Sequence, residues 1–342
     1  MDLKKVDEQL DRISDKVCRM HFINPINQNS EKKKFFSKID YNPVFKYQKV
    51  DFDSGELLRK LFALKNALDD NGLALLLKKK IKSTIYWLKM LSSDRNPKVI
   101  TKYSILINSN IKKSLVNKAR KILETVPAEK DENCNLNSND ILKSLKKELA
   151  FCGWKVKENP YIGSKIDANI NDRTIEIKKG EKFSKRELKR LKIHEIGTHV
   201  KRAINGEKTG YKIFAHGTFQ YILTEEGLAA YMEKKEGVLS NNRLRTYAGR
   251  VLAVDCALKH SFRECYEKLL SYFGSKEAYT IVMRVKRGLI DTSEKGCFAK
   301  DHVYLKGFFE VQEYLNKGGD LAVLFKGKIG LKDLKIVKKV LG

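Results

Sequence analysis

His194, Glu195 and His199 fall within the stretch HEIGTH at 194–199. An H-E-x-x-H on a helix sets two imidazoles four apart on one face, beside a glutamate that can work on a metal-bound water. Here the second histidine is five away. Five residues at about 100° each carry His199 about 140° around a regular helix from His194, so an undistorted helix cannot aim both rings at one ion. A one-residue π-bulge absorbs the extra residue, and such bulges are frequent at functional sites. Gly197, between the histidines, weakens a plain helix and makes a bulged one cheaper. The segment reads either as a bulged metal site or as two histidines and a glutamate on a solvated helix.

A metal site of this kind needs a third ligand. YILTEEGLAAYMEKK, 221–235, predicts a following helix with Thr224 as N-cap and Glu225 and Glu226 in its first turn. Metallopeptidases that use a glutamate as third ligand take it from such a second helix. Acidic residues in a first turn also favour the helix dipole, and the two roles can be divided between Glu225 and Glu226.

The elements that must hold these residues follow from the flanking sequence. FSKRELKRLKIHEIGTHVKRAING predicts one helix of about twenty residues, with Ser184 and Glu187 as a capping box and Asn205-Gly206 as its C-terminal stop. Ahead of it, DILKSLKKELAF reads as a helix. WKVKE, SKIDANI and RTIEIKKG alternate as two or three short strands with a turn at Asn171-Asp172. RTIEIKKG is either a core strand or an edge on which an extended peptide could pair. From Thr224 onward the chain reads as several helices, one opened by a capping box at Ser261 and Glu264. PAEKDENCNLNSND, 127–140, is polar and nonperiodic, an exposed loop or linker. Residues before it read as mostly helical, with Ser54 as the N-cap of a stretch whose apolar residues recur at threes and fours. That half carries no catalytic-looking cluster.

Composition bounds the function classes. The 342 residues are 42% hydrophobic, an ordinary globular balance. The six cysteines are widely spaced, form no C-x-x-C pair and follow no signal peptide, which argues against a disulfide framework or a cysteine zinc site and for a cytoplasmic location. The longest apolar runs, such as GLALLL at 72–77, are too short for a membrane span. A net charge of +27 raises nucleic-acid binding. The lysines are spread along the whole chain with no recognisable nucleic-acid motif, so solvated helix faces or attraction of an acidic peptide are competing readings.

HEIGTHVKRAING followed by TEEGLAAYME resembles the family of the microtubule-associated tyrosine carboxypeptidases and their prokaryotic relatives, the QEGLA-motif proteins, marked by HExxxH and a glutamate in (Q/E)EGLA. INPINQNSEKKKFF with NPVFKY resembles the family's N-terminal part. CFAKDHVYLKGF, 297–308, resembles its late segment. The resemblance implies that His194, His199 and Glu226 are ligands of one Zn2+ per chain and that Glu195 is the catalytic base. The elements read along the chain predict a fold that is α+β and mainly helical, with a small β-sheet packed beside a zincin-like metal-binding helix pair. The expected organisation is a helical N-terminal region at 1–127, a linker or loop at 128–140 and a zincin-like catalytic domain at 141–342. Prokaryotic relatives usually carry glutamine where this chain has Glu225.

The activity so implied is zinc-dependent carboxypeptidase action on the C-terminus of a peptide or protein. Tyr231, His216 and Tyr304 are candidate oxyanion donors. A terminal carboxylate calls for a cation, and Arg243, Arg284, Arg287 and Lys300 form the pool. His21, His260 and His302 read first as surface or core residues, and Cys297 as a small buried one. Two other readings stand beside this one. The first is a non-catalytic or regulatory metal protein whose basic surface binds nucleic acid or an acidic partner. The second is an aminopeptidase or dipeptidyl peptidase, which would need an acidic cluster for a free amine.

Overall fold

A computed structural model describes residues 2–341 apart from 131, 151, 161, 163, 164 and 171. It is α+β and mainly helical, and it divides into two compact units. One comprises Met1–Ala128 with Asn241–Lys306, the other Glu129–Ser240 with Gly307–Gly342. The stretch 141–342, drawn from sequence as one domain, is therefore split, because residues 241–306 pack with the N-terminal region. Arg245, on helix Asn241–Ala257, accounts for part of that packing. Its Nη1 donates to the carbonyls of Leu123 and Val126 at 2.8 and 2.6 Å, at the C-terminal end of helix Lys113–Thr125, and its Nη2 to Tyr272 at 3.0 Å. Lone arginines give no sequence signal for such a partner.

The first unit is helical. Its central helix, Gly72–Leu91, packs against helices Leu3–Val17, Ser54–Asn66 and Pro97–Asn108. Leu76, Leu77, Ile81 and Leu88 on it have no exposed surface, and each such side chain contributes about 1.5–3 kcal/mol of burial energy. The helix at Ser54 is capped by Asp53, not by Ser54. The Asp53 carboxylate accepts from the Gly55 and Glu56 amides at 2.8 and 3.0 Å, which makes Ser54 the first helical residue.

The second unit carries the sheets. Thr174–Lys178 is the central strand of three, parallel to Lys155–Asn159 and antiparallel to Ile166–Asn169. Both of its edges are occupied, so the peptide-pairing edge considered for RTIEIKKG does not exist there. The turn expected at Asn171-Asp172 includes Asn171, which lies outside the described residues. The segment 128–140, expected to be loop, ends in order. Leu136–Asn137 pairs antiparallel with Lys182–Phe183, and Asn137 caps helix Ser138–Leu149 in a reciprocal box with Asp140. Ile141 and Leu145 of that helix, Ile175 and Ile177 of the sheet, and Leu191 and Val200 of the histidine-bearing helix form one core. The helix that carries the histidines is thereby anchored on the sheet by one face.

Candidate metal centre

The histidine helix starts at Ser184, whose hydroxyl accepts from the Glu187 amide at 2.9 Å. The capping box is only half made, because Glu187 turns to Lys165 Nζ at 3.1 Å. The helix then runs as α from Lys185–Leu191, as π from Lys192–Val200 and as α again from Lys201–Glu207. The π spacing is visible in the Thr198 hydroxyl, which donates to the carbonyl five residues back, Ile193, at 3.1 Å. The helix ends at Glu207, one residue past the expected stop at Asn205-Gly206, so Gly206 is internal to its last turn. Gly206 lies where the chain of Lys212–His216 crosses, and a Cβ there would come within 2.0 Å of the Phe214 carbonyl oxygen. Asn205 donates to the Phe325 carbonyl at 2.9 Å.

With the π segment in place, His194 and His199 share a face, their ring centroids 4.7 Å apart and their planes nearly perpendicular. Donor atoms of His194, Glu195 and His199 lie within 4.8 Å of one another. Helix Tyr221–Lys235 packs on this segment and brings Glu226 opposite. One oxygen of Glu226, Oε2, lies 3.4 Å from His194 Nε2 and 3.7 Å from His199 Nε2. Tetrahedral sites with Zn–N bonds of about 2.0–2.1 Å hold neighbouring donors about 3.3 Å apart, so these separations fit a single divalent ion.

The other ring nitrogens are committed. His194 Nδ1 pairs with Glu233 Oε1 at 2.7 Å and His199 Nδ1 with Glu225 Oε1 at 2.8 Å. A ring that gives its Nδ1 proton to a carboxylate presents an Nε2 lone pair, as metal-binding histidines characteristically do. Glu233 also accepts from Arg190 at 2.9 Å. Glu225 is held by Arg202 and Lys328, both nearly fully buried. Arg202 donates further to the Leu324 and Ile329 carbonyls at 2.9 and 2.8 Å. Burial alone would raise the Glu225 carboxyl, but Lys328, Arg202 and His199 outweigh it and hold the group well below the usual carboxylate range. Burial also opposes a charge on His194. Hydrogen bonds with Glu226 and Glu233 and the nearby Glu195 prevail, and its pKa is pushed up to about 10. The surroundings of His194 thus favour positive charge at its ring, and a divalent cation could take the place of that proton.

Helix Tyr221–Lys235 begins one turn before the expected Thr224 cap. Gln220, in the left-handed region at φ 56°, precedes it. Thr224 is therefore internal, and its hydroxyl accepts from the Leu331 amide at 2.9 Å. Glu225 and Glu226 consequently sit in the second turn, buried, and the helix-dipole reading of the pair falls away. Glu233, Arg190, Arg202 and Lys328 were missed. Glu233 lies seven residues, two turns, from Glu226, and Arg190 and Arg202 lie four and three residues outside the two histidines, so helical spacing could have found them. Nothing local marks Lys328.

Of the other sequence candidates, Tyr231 and His216 share the unit of the histidines, both half-buried. Arg243, Arg284, Arg287, Lys300 and Tyr304 belong to the other unit. There Asp301 engages Arg284 and Arg287, and Tyr304 stacks on Tyr247 with centroids 5.1 Å apart. Beside the histidine helix, a groove of about 610 Å³ is lined by Ile193, Gly197 and Lys201 on one wall and by Met232, Leu321 and Phe325 among its other residues.

A family model described as microtubule-associated tyrosine carboxypeptidase matches residues 33–342. The chain is similar to microtubule-associated tyrosine carboxypeptidase 1 of Mus musculus, 31% identical over 151 residues, which cover 42% of this chain and 31% of the relative. The Homo sapiens protein of that name is 31% identical over 150 residues, covering 41% and 31%. The putative tyrosine carboxypeptidase MATCAP2 of Homo sapiens is 30% identical over 154 residues, covering 42% and 28%. The match spans about a third of the length of these curated relatives.

Proposed function

The chain belongs to the microtubule-associated tyrosine carboxypeptidase family, and from that premise we propose that it is a zinc-dependent carboxypeptidase that removes a C-terminal residue from a peptide or protein. The observation that carries the reading is the approach of His194 Nε2 and His199 Nε2 to one oxygen of Glu226, with Glu195 on the same helix. His194, His199 and Glu226 would hold the ion. When bound, zinc supplies a water of lowered pKa and polarises the scissile carbonyl.

The rest is the work of the chain's own groups. Glu195, nearly buried on the histidine helix, accepts the proton of the attacking water and returns it to the leaving amine nitrogen. Glu233 and Glu225 fix the orientation of the two imidazoles, and Arg190, Arg202 and Lys328 hold those carboxylates in place. The relatives' names make a C-terminal tyrosine the first leaving residue to try. No helix among the described residues is long and apolar enough to cross a membrane. We place the protein in the cytoplasm, where its six free thiols remain reduced.

Digestion of a peptide library varied at the C-terminus, followed by mass spectrometry, tests the proposal together with measurement of bound zinc. Wild-type protein should carry one zinc and shorten peptides by one C-terminal residue. Glu195→Gln should keep the zinc and lose about 10²–10⁴-fold in rate, the usual worth of a positioned acid–base group. Purified protein without stoichiometric zinc, or equal cleavage by both proteins, would sink it.

A further inference from the structure

Asn-Gly occurs twice, at Asn71-Gly72 and at Asn205-Gly206. In this dipeptide the glycine nitrogen can attack the asparagine side-chain amide, because no Cβ on the second residue shields it. The fold holds the two copies in opposite ways. Asn205 lies inside helix Lys201–Glu207. Its Nδ2 donates to the Phe325 carbonyl at 2.9 Å, and the Gly206 backbone is buried against Phe214. Neither the carboxamide nor the main chain can turn there without disturbing that packing.

Asn71 instead precedes helix Gly72–Leu91 and is exposed. Asparagines at the same position of other helices are occupied. The carboxamides of Asn96 and Asn137 each accept from two first-turn amides, and that of Asn27 is engaged with Val44 and Lys46. The Asn71 carboxamide makes no such capping bond. Gly72 opens the helix at φ 43°, in the left-handed region, and its N–H is one of the first-turn donors that a helix leaves without an internal acceptor. From ψ 163° at Asn71, ring closure needs a turn about the Cα–C bond, which takes the Asn71 carbonyl off the Leu75 amide, 2.9 Å away. Losing one backbone bond at a helix end slows the reaction only about two- to tenfold relative to a free chain.

We propose that Asn71 is a site of spontaneous deamidation in the folded protein, whereas Asn205 is protected. The Gly72 nitrogen, giving up its proton to a base of the solvent, bonds to Asn71 Cγ, and the side-chain nitrogen leaves as ammonia. Water then opens the cyclic imide. Cleavage of the new N–Cγ bond leaves an aspartate, and cleavage of the original peptide C–N bond leaves an isoaspartate. Each event adds one negative charge to a chain of net charge +27, at the start of the first unit's central helix. The aspartate suits the helix dipole. The isoaspartate puts an extra methylene into the main chain and shifts the carbonyl that Leu75 uses, so its accumulation loosens that turn.

Incubation of the full chain near neutral pH tests this, read by peptide mapping with mass spectrometry and by methyl transfer from an isoaspartate-specific methyltransferase. A synthetic peptide of residues 66–76 is the unstructured reference. Position 71 should convert to both acids with release of ammonia, within about tenfold of the peptide's rate, while Asn205 stays intact. In guanidinium chloride both asparagines should convert at similar rates, because the protection of Asn205 belongs to the fold. Asn71→Gln should abolish the signal at that position. The side chain it replaces makes no capping bond, so the variant should melt close to wild type. Persistence of Asn71 after the peptide has converted, or equal conversion of Asn71 and Asn205 in the folded protein, overturns the proposal.

Discussion

Gly227 and Gly307 lie in backbone contact. A Cβ on Gly227 would fall 2.1 Å from the carbonyl carbon of Gly307, and one on Gly307 would fall 1.9 Å from the carbonyl oxygen of Leu223. Gly227 immediately follows Glu226, so this crossing of helices Tyr221–Lys235 and Val303–Asn316 sets the depth at which Glu226 is held. Alanine at Gly307 gains about 1 kcal/mol in helix propensity, but two backbones must part to admit it, an overpacking that costs typically 1–3 kcal/mol. Gly307→Ala should therefore lower the melting temperature and weaken zinc retention against a chelator. An unchanged melting curve would show that the crossing yields more easily than its geometry indicates.

Gly197 gives the opposite expectation. A Cβ there meets only the Lys192 carbonyl oxygen, at an ordinary 3.5 Å, and the residue faces a groove. No steric term opposes alanine, and its smaller loss of backbone freedom favours the folded state by roughly 0.5–1 kcal/mol. Gly197→Ala should match or exceed wild type in thermal stability and keep its zinc. A fall in either would mean that the π segment depends on the glycine itself.

Glu225 and Glu233 both orient a histidine, yet their loss should read out differently. Glu225 is the counter-charge of two buried cations, Arg202 and Lys328. Glu225→Gln leaves them uncompensated, and breaking a buried pair in this way costs about 3–5 kcal/mol. Glu233 pairs with Arg190, which keeps some contact with solvent. Glu233→Gln should chiefly weaken the metal, by about 10–100-fold as for other outer-shell partners. Urea unfolding of the metal-free proteins and zinc titration separate the two, and equal losses in both assays for both variants would contradict the distinction.

The local architecture was legible wherever the signal was local. A metal site at His194 and His199 called for a bulge, and the π segment Lys192–Val200 supplies one. The helix after it, the short strands and the mainly helical first half followed from periodicity and turn residues. What escaped was set by contacts distant in sequence. Residues 241–306 rejoin the first unit through groups such as Arg245, which carry no pattern. Gly206 reads as a stop in one dimension, and only the crossing of Phe214 shows that it is a point of close approach. Thr224 has the chemistry of a cap, but its hydroxyl accepts from the Leu331 amide instead, because the helix starts at Tyr221. Lys328 reaches Glu225 across more than a hundred residues.

His302 predicts a pH dependence that does not involve the metal centre. It is fully buried beside Ser109, 3.4 Å from its hydroxyl. Burial, with Lys306 acting in the same direction, lowers its pKa to about 3 against an opposing Asp301. The unfolded chain binds a proton at this side chain near the ordinary value of about 6.5, while the folded chain does not until near pH 3. Between those values the unfolded state holds more protons, so stability rises with pH. The contribution is fully present above pH 6.5 and is lost as pH falls towards 3, at about 1.4 kcal/mol per unit for one proton. Carboxylates that titrate lower also act at the acid end, so the comparison belongs between pH 6.5 and 5. In that window the free energy of urea unfolding of wild-type protein should decline with acid more steeply than that of His302→Gln, whatever the absolute stability of the variant. Parallel slopes would mean that His302 is protonated in the folded chain.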